Sequence, residues 1–439
     1  MKRAITEELI KWKNQYNRKP LIVRGARQVG KSWTITDFGQ RYFEGQLHLI
    51  NLEKRIDWHP IFDKNLDAIR ILRELEIVLN RTIEIGKDLI FFDEIQACPR
   101  AISALRYFYE QLPDLHVIAA GSLLEFALSD IPFPVGRVQM LNMFPMSFSE
   151  FLDATQQERL AQIVRNKPEA QPPHIDSLLK ESLKKYFLVG GMPECVQTFV
   201  ATGRLADVQQ VQTDLIDTYR QDFSKYTPQV DKQCLNDVLV TTANKVGQQV
   251  KYTHLSENFS SPTIKKAFDL LTTARVLHKV RTTSPAGLPL AAGASDKKFK
   301  AIFVDVGLLS RLNGLSLSVE YQKKDLLAMY QGALAEQFVG QELLATSQEA
   351  LFYWARNAKS SNAEVDYLAV RGSDIVPIEV KNSTAGRLKS LHLLLATYPN
   401  CSGGVVFSDA PFGEIAEQGL AFLPLYYVGS IFSKKWGLF

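Results

Sequence analysis

The segment RGARQVGKSW, residues 24–33, constrains the fold of this chain more than any other. It carries the pattern Gly-x-x-x-x-Gly-Lys-Ser at residues 25–32, after the apolar run 21–23 and before a helical pattern. A strand, a glycine-containing loop and a helix in this order form a phosphate-binding loop, because backbone N–H groups and the helix N-terminus hold the anion. The sequence therefore predicts an α/β nucleotide-binding domain.

The chemistry of the loop assigns roles to its last two residues. We expect Lys31 to reach the β and γ phosphates of ATP and the Ser32 hydroxyl to bind Mg²⁺. The residues that we predict to hold ATP are Gly25, Ala26, Arg27, Gln28, Val29, Gly30, Lys31 and Ser32. ATP and Mg²⁺ are therefore the predicted cofactors.

A second element, KDLIFFDEI, places four apolar residues before Asp93 and Glu94. Two adjacent acids at the end of a buried strand cost free energy unless something binds there. We expect Asp93 to hold Mg²⁺ through water and Glu94 to polarise the attacking water. The alternative, a strand end with solvated acids, is weaker beside a phosphate loop.

Two further residues are candidates for the same site. The strand HVIAAGS ends in Ser122, where a sensor of the γ-phosphate would lie. Arg137 follows in PVGRVQM and would supply positive charge to the transition state, in cis or across a subunit boundary. The alternative for Arg137 is a solvated surface residue, and the sequence leaves this choice open.

These residues resemble the additional-strand, catalytic-glutamate class of P-loop ATPases, which includes AAA-type proteins. The resemblance covers residues 1–150 and implies a parallel sheet in the order 5-1-4-3-2. The predicted strands lie near residues 20–24, 46–52, 87–93, 115–121 and 137–143. A second arginine sensor is not evident in the helical segment that follows, which is a departure from the ring-forming members of the class.

The middle of the chain predicts two more domains. Residues 151–230 have helical periodicity and form a predicted α-helical lid, with a turn at Gly190-Gly191. In residues 231–318, two short helices precede two strands, which predicts a winged helix. Its second helix starts at Ser261, the predicted cap.

The winged helix has two possible partners. Its exposed cations would contact DNA phosphates: Lys265, Lys266, Lys279 and Arg281. Winged helices also serve as protein-binding modules, in which case these residues form a solvated face. DNA and a protein partner therefore both remain candidates.

Residues 319–439 carry a second set of chemical residues. Asp366 lies on a predicted strand, and Glu379 and Lys381 share one face of the next strand because alternate residues point the same way. Asp366 and Glu379 would meet around a divalent cation, Lys381 would orient or deprotonate water, and Glu336 would add a carboxylate from a helix. This is the D…ExK pattern of restriction-endonuclease-like phosphodiesterases. A structural ion network on paired strands would have the same pattern.

The whole chain resembles a widespread prokaryotic family of AAA-type P-loop ATPases with a C-terminal domain that is similar to PD-(D/E)xK nucleases. The motifs that carry the resemblance are GARQVGKS, FFDEIQ, AAGSLLEF, GGMPE, FVDVGLLSRL, FYWAR, EVDYLAV, IEVKNS and FLPLYYV. The resemblance implies a P-loop ATPase with a restriction-endonuclease-like α/β domain.

Composition limits the remaining possibilities. The 439 residues are 46% hydrophobic and 22% charged with a net charge of +4, as in a folded protein with no strong preference for nucleic acid. The four cysteines are widely spaced, which favours buried thiols over zinc or disulfides. No apolar run has the length of a signal peptide core or a membrane span, and we expect a cytoplasmic protein. Two functions remain: ATP hydrolysis coupled to DNA binding or cleavage, and a nucleotide-dependent switch for a protein partner.

Overall fold

A computed structural model of the protein divides the chain into two compact units, Met1–Phe144 and Pro145–Phe439. The structure describes residues 1–122, 124, 126, 136–226, 230–314, 332–356, 363–381 and 388–432. The predicted domain boundary at residue 318 and parts of the motifs AAGSLLEF and IEVKNS lie outside the described residues. The divisions that we predict at residues 150, 230 and 318 therefore stay predictions.

The N-terminal unit contains a five-stranded parallel sheet. Its strands are β1 (Leu21–Arg24), β2 (Leu47–Asn51), β3 (Leu89–Asp93), β4 (His116–Gly121) and β5 (Gln139–Asn142). The order across the sheet is β2-β3-β4-β1-β5, with every neighbouring pair parallel. Read from the other edge this is 5-1-4-3-2, so the predicted order is confirmed.

Helices pack against both faces of this sheet. They are α1 (Ile5–Lys13), α2 (Lys31–Tyr42), α3 (Pro60–Asp63), α4 (Ala68–Leu79) and α5 (Pro99–Gln111). On one face, Ile90 and Phe92 pack with residues of α4 and α5 in a single apolar core. Because both faces are covered, β3 and β4 are buried along their whole length. The carboxyl ends of these strands are therefore rigid supports for polar residues.

The C-terminal unit begins with helices. These are α6 (Phe148–Ala154), α7 (Glu158–Arg165), α8 (Pro173–Val189), α9 (Pro193–Thr202) and α10 (Leu205–Tyr226), followed by α11 (Lys232–Asn244), α12 (Ser261–Thr273), α13 (Val306–Leu312), α14 (Ala333–Ser347) and α15 (Lys389–Thr397). Helices account for most of residues 151–226, in line with the predicted helical periodicity, while their role as a lid stays a prediction. No helix within the described residues is long and apolar enough to cross a membrane.

An eight-stranded mixed sheet completes this unit. Its strands are β6 (Leu277–Thr282), β7 (Ser295–Phe303), β8 (Phe352–Ala355), β9 (Glu364–Arg371), β10 (Asp374–Val380), β11 (Gly404–Ser408), β12 (Gly413–Ile415) and β13 (Leu420–Pro424). Their order is β12-β13-β11-β10-β9-β8-β6-β7. One continuous sheet thus joins the predicted winged-helix strands to the predicted nuclease-like strands.

The region of the predicted winged helix differs from the expectation in three details. The hairpin β6–β7 is present, but β6 also pairs with β8, so the hairpin is an edge of the larger sheet. The helix expected at residues 251–259 is only a 3₁₀ turn, Tyr252–His254, because Ser256 and Asn258 donate hydrogen bonds to Asp237 instead. The N-cap of α12 is Ser260, not Ser261. The winged helix itself stays a prediction.

The turn at Gly190 and Gly191 ends α8 as expected and also binds a buried acid. Gly190 has φ 77°, which favours glycine, and a Cβ there would lie 2.1 Å from Oδ1 of Asp305. The Gly191 N–H donates to Oδ2 of Asp305 at 2.6 Å. Asp305 also caps α13 by accepting from the N–H groups of Gly307 and Leu308. The carboxylate therefore fixes the turn to the start of α13.

Candidate functional site

The phosphate-binding loop has the backbone conformation that its sequence demands. Gly30 has φ 92° and Gln28 has φ 64°, so the chain passes twice through the left-handed region within three residues. Gly25 lies against the backbone of the residue after β5, where a Cβ would come within 2.2 Å of the Met143 carbonyl oxygen. The loop therefore requires glycine at its first position for packing.

Lys31 is folded back along this loop. Its side chain is buried, with 7% of the residue exposed, and Nζ donates to the carbonyl oxygens of Gly25 and Ala26 at 2.9 Å each. These contacts hold the ammonium group beside the N-terminus of α2. A phosphate bound at that helix end would therefore meet a positive charge that is already in place.

Ser32 and Asp93 meet as the sequence predicts. Ser32 Oγ donates to Oδ1 of Asp93 at 2.8 Å, and Asn51 Nδ2 donates to Oδ2 of Asp93 at 3.1 Å. Burial raises the pKa of Asp93, while these hydrogen bonds oppose the shift. The hydroxyl and carboxylate oxygens are ligands that Mg²⁺ prefers, so these residues fit the ion.

Glu94 lies next to Ser122, at the carboxyl ends of the neighbouring strands β3 and β4. Its Oε2 accepts from Ser122 Oγ at 3.3 Å and from Gln96 Nε2 at 2.5 Å. The backbone of Glu94 has φ 49°, a left-handed conformation that is uncommon for residues other than glycine. The Glu94 carboxylate lies at the end of β4, where it contacts Ser122. The backbone there is therefore shaped to place this acid.

Sequence reasoning missed three residues of this site. Asn51 follows from the register, since it lies opposite Asp93 in the β2–β3 pair. Gln96 approaches Gly121 so closely that a Cβ would lie 2.0 Å from its Oε1, a buried atom that has no hydrogen bond partner in the part of the chain that the structure describes. Arg3 donates to the carbonyl oxygens of Val29 and Phe144 at 2.9 and 2.7 Å and so links the phosphate-binding loop to the segment after β5. Only Gln96, within the motif FFDEIQ, carried any local signal.

Arg137 lies away from the phosphate-binding loop, before the start of β5. It precedes β5, whose last residue Asn142 lies opposite Arg24, so about 16 Å of strand separates Arg137 from the start of the loop. Its Nε lies 3.1 Å from Oε1 of Glu110, and the side chain is 48% exposed. The structure therefore does not bring Arg137 to the nucleotide loop of its own chain. Only the role across a subunit boundary stays a prediction.

In the C-terminal unit, the predicted acids gather around a residue that the sequence analysis did not single out. Lys300 of β7 is 2% exposed, and its Nζ lies 2.8 Å from Oε1 of Glu336 and 3.0 Å from Oδ1 of Asp366. A third carboxylate, Glu364, also forms an ion pair with Nζ and accepts from Gln249. These residues, Lys300, Glu336, Glu364 and Asp366, together with Glu379, are called the carboxylate cluster below.

The other two predicted residues pair with each other. Lys381 Nζ donates to Oε1 of Glu379, while Oε2 of Glu379 is buried and has no hydrogen bond partner among the described residues. Asp366 connects the two strands, because its Oδ2 accepts from the N–H of Val380 at 2.8 Å. The structure thus places the four predicted residues near one another on α14 and the neighbouring strands. Glu336 and Asp366 form ion pairs with Lys300, whereas Glu379 forms one with Lys381.

Burial changes the charge that this cluster carries. It raises the pKa of Glu336 to about 7, opposed by Lys300, and it raises the pKa of Glu379 to about 7, reinforced by the charge of Asp366. The pKa of Lys300 is raised well above its usual value, since the attraction of three carboxylates exceeds the effect of burial. Near neutral pH the ammonium group is therefore fixed, whereas two of the acids are partly protonated.

The expected divalent cation between Asp366 and Glu379 does not fit this arrangement. Nowhere in the described ranges does a group of three or more His, Cys, Asp or Glu side chains have the geometry to hold a metal. The physical reason is Lys300, whose ammonium group contacts the oxygens of Glu336 and Asp366 that a metal would need. The roles that we predict for Glu336, Asp366, Glu379 and Lys381 in a nuclease-like site therefore stay predictions.

Comparisons with known families divide the chain in three. Residues 17–152 match the family described as AAA domain. Residues 180–318 match a domain of unknown function, DUF8612, and residues 331–427 match another, DUF4143. No curated protein matches the sequence.

Several solved structures align with part of this chain at low sequence identity. A Walker-type ATPase of Pyrococcus abyssi has 16% identity and a TM-score of 0.44, over 70% of this chain and 94% of that one. The Aeropyrum pernix ORC1 protein, solved in complex with DNA, has 11% identity and a TM-score of 0.31, over 72% and 91%. The Thermotoga maritima RuvB Holliday junction branch migration motor has 14% identity and a TM-score of 0.29, over 62% and 85%. Residues 17–152 are thus similar to AAA domains, and their parallel sheet and glycine-containing loop agree with that similarity.

Proposed function

We propose that this protein hydrolyses ATP with Mg²⁺ and couples turnover to DNA binding through its C-terminal unit. The observation that carries the hydrolytic part is the joint position of five side chains at the carboxyl ends of β1, β3 and β4. Lys31 and Ser32 begin α2, Asp93 accepts from Ser32, and Glu94 reaches Ser122. Phosphate binding, a metal ligand and an acid for water are thereby collected at one edge of the sheet.

Each residue of the N-terminal site has a distinct task in this proposal. Lys31 binds the β and γ phosphates and replaces its two backbone acceptors with phosphate oxygens. Ser32 and Asp93 would hold Mg²⁺, which neutralises charge on the phosphates when bound. Glu94 accepts a hydrogen bond from the attacking water and polarises it, and Ser122 lies where it contacts the γ-phosphate.

The binding step is tested with Lys31→Ala. We expect ATP affinity to fall by about a hundredfold or more, because a charged hydrogen bond to phosphate of about 3 kcal/mol is lost. Fluorescent ATP titration measures this, with Lys19→Ala, a lysine outside the loop, as control. Equal affinities of Lys31→Ala and wild type would contradict nucleotide binding at this loop.

DNA binding is supported by exposed lysines on α12 and β7. Lys265 and Lys266 project from the exposed side of α12, while Lys297 and Lys298 are exposed on β7. Lys279, also a candidate, donates to Tyr252 and to Asp296, so its charge is already matched within the chain. The wing residue that we expect to contribute least to DNA binding is therefore Lys279.

Gel shifts over a salt series test this part. Phosphate contacts predict that log affinity falls linearly with log salt, and that Lys265→Glu with Lys266→Glu weakens binding by about tenfold or more at low salt. Glu257→Lys, which changes charge elsewhere in the region, serves as control. A flat salt dependence, with or without ATP, would exclude DNA and favour a protein partner.

A second candidate function is a nucleotide-dependent switch with a catalytically silent nuclease-like part, and Lys300 favours it. The ammonium group contacts the oxygens of Glu336 and Asp366, so hydrolysis of DNA would lack its metal. The test is cleavage of supercoiled DNA with Mg²⁺ or Mn²⁺, with ATP and without. Nicking by wild type that Lys381→Ala abolishes would establish a nuclease and remove the switch in this form.

A further inference from the structure

We infer that Lys300 is the resident cation of the carboxylate cluster and closes it to divalent metals, so that the cluster becomes a metal site only when this ammonium group is removed. The inference rests on the proposed nuclease-like part of the function and is independent of ATP hydrolysis. It assigns the control of that site to a residue of β7, outside the D…ExK pattern.

The contacts of Lys300 resemble those of a bound ion. An ammonium group has three donors, and here three carboxylates accept: Glu336, Glu364 and Asp366. The residue is almost fully buried, so water does not share its hydrogen bonds. All of the donors of this cation are therefore used by the acids that would otherwise bind a metal.

The carboxylate oxygens that contact Lys300 are also the ligands that a hard divalent cation prefers. Mg²⁺ and Mn²⁺ prefer carboxylate oxygens at distances of about 2.0–2.3 Å, shorter than the 2.8 and 3.0 Å of Nζ to Glu336 and Asp366. A metal at this position would lie about 3 Å from a second positive charge, which is strongly unfavourable in a buried site. Lys300 and a metal therefore exclude each other.

Glu379 gives a second observation that a cation site is incomplete here. The residue is 5% exposed, its Oε1 accepts from Lys381, and its buried Oε2 accepts from nothing within the described residues. A buried acceptor without a partner costs free energy unless a proton or a cation supplies what it lacks.

The closing residue comes from a different part of the chain than the acids. Lys300 lies on β7, whereas Glu336 belongs to α14 and Asp366 to β9. Next to Lys300, Phe299 forms a β-bridge with Val250, the residue that follows Gln249. β7 is the last strand in the order of its sheet, and it pairs with β6 at six positions. The position of Lys300 among the acids therefore depends on the pairing of β7 with β6.

Manganese binding to the full-length, nucleotide-free protein tests the inference. Electron paramagnetic resonance measures free Mn²⁺, and the variants are Lys300→Met, which keeps the length of the side chain, and Lys300→Arg, which keeps its charge. We expect Lys300→Met to gain one site with affinity about tenfold or more above wild type, since a repelling charge is gone. Lys300→Arg should stay like wild type, and Lys300→Met with Asp366→Asn should lose the new site.

The outcomes separate the inference from its alternatives. A wild type that already binds Mn²⁺ in a manner that Asp366→Asn removes would overturn it, and so would a folded Lys300→Met without added binding. If Lys300→Met does not fold, the wild-type titration and its Asp366→Asn control still decide. ATP hydrolysis measured on the same samples reports on the N-terminal site alone, so failure of the proposed ATPase is visible separately.

Discussion

The nucleotide site and the carboxylate cluster contain the same kinds of residue and use them in opposite ways. At the nucleotide site, Lys31 donates to backbone carbonyl oxygens, and Asp93 and Glu94 accept from neutral side chains. In the cluster, Lys300 donates directly to three carboxylates. The first arrangement leaves charge of both signs for a ligand, whereas the second neutralises its own acids. A lysine among acids is thus a binding site or a closed network according to what the ammonium group contacts.

The largest expected effect tests whether the acids of the nucleotide site do chemistry. Glu94→Gln should lower the rate of ATP hydrolysis by about 10² to 10⁴-fold, because an amide polarises water poorly, while ATP binding stays within about twofold. Steady-state hydrolysis and ATP titration measure the two. Glu8→Gln on α1, an exposed acid paired with Lys11, is the control. Unchanged hydrolysis in Glu94→Gln would show that Glu94 is not catalytic. The acids of the nucleotide site would then have no more part in chemistry than those of the carboxylate cluster.

The second prediction compares the two lysines by stability. Lys300→Ala leaves buried carboxylates without their counter-ion and should lower the free energy of unfolding by about 3–5 kcal/mol. Lys31→Ala loses two hydrogen bonds to carbonyl oxygens and should cost about 1–2 kcal/mol. Chemical denaturation at pH 7.5 measures both. Equal losses would mean that Lys300 is no more a structural cation than Lys31 is.

The sequence predicted the residues of the nucleotide site better than the contacts of the carboxylate cluster. The loop, Asp93 and Glu94 are contiguous patterns at strand ends, and the resemblance supplied the strand order; each agrees with the structure. Lys300 is 66 residues from Asp366, and no local pattern marks it, because its partners are set by the register of strands from two parts of the chain. Asn51 was missed for this reason too, and Arg3 was missed because its acceptors, Val29 and Phe144, are 26 and 141 residues away in the chain.

A third prediction concerns Glu342, a buried acid of the C-terminal unit that forms no ion pair with any of the residues described. Glu342 accepts from the N–H of Phe148 at 2.9 Å, and burial raises its pKa to about 8, reinforced by Glu150. The folded state therefore binds a proton that the unfolded state releases at lower pH, so its contribution to stability is complete below about pH 4.5 and is lost as the pH rises towards 8.

Glu342→Gln keeps the acceptor and removes the titration. We expect the variant to gain about 1–3 kcal/mol relative to wild type between pH 5 and pH 8, as the wild type loses stability and the variant does not. Denaturation at several pH values measures the difference, and Glu349→Gln, an exposed acid after the same helix, is the control. Parallel pH profiles of Glu342→Gln and wild type would show that Glu342 is ionised in the folded protein.

The smallest expected effect concerns Arg137, the one predicted catalytic residue that the fold carries away from the nucleotide loop. Its partner Glu110 is also exposed, and exposed ion pairs contribute about 0–1 kcal/mol, so Arg137→Ala should barely change unfolding. Hydrolysis should likewise stay within about twofold at low protein concentration, since Arg137 and the loop are at opposite ends of the sheet.

A role between subunits would change this result in a specific way. If Arg137 stabilises the transition state in a neighbouring copy, wild-type hydrolysis per chain should rise with protein concentration, and Arg137→Ala should remove that rise without lowering the rate of the dilute protein. Arg106→Ala, another arginine that pairs with Glu110, is the matched control. A loss of hydrolysis in Arg137→Ala that is the same at every concentration would require the arginine to reach its own nucleotide, which the parallel pairing of β5 with β1 does not allow.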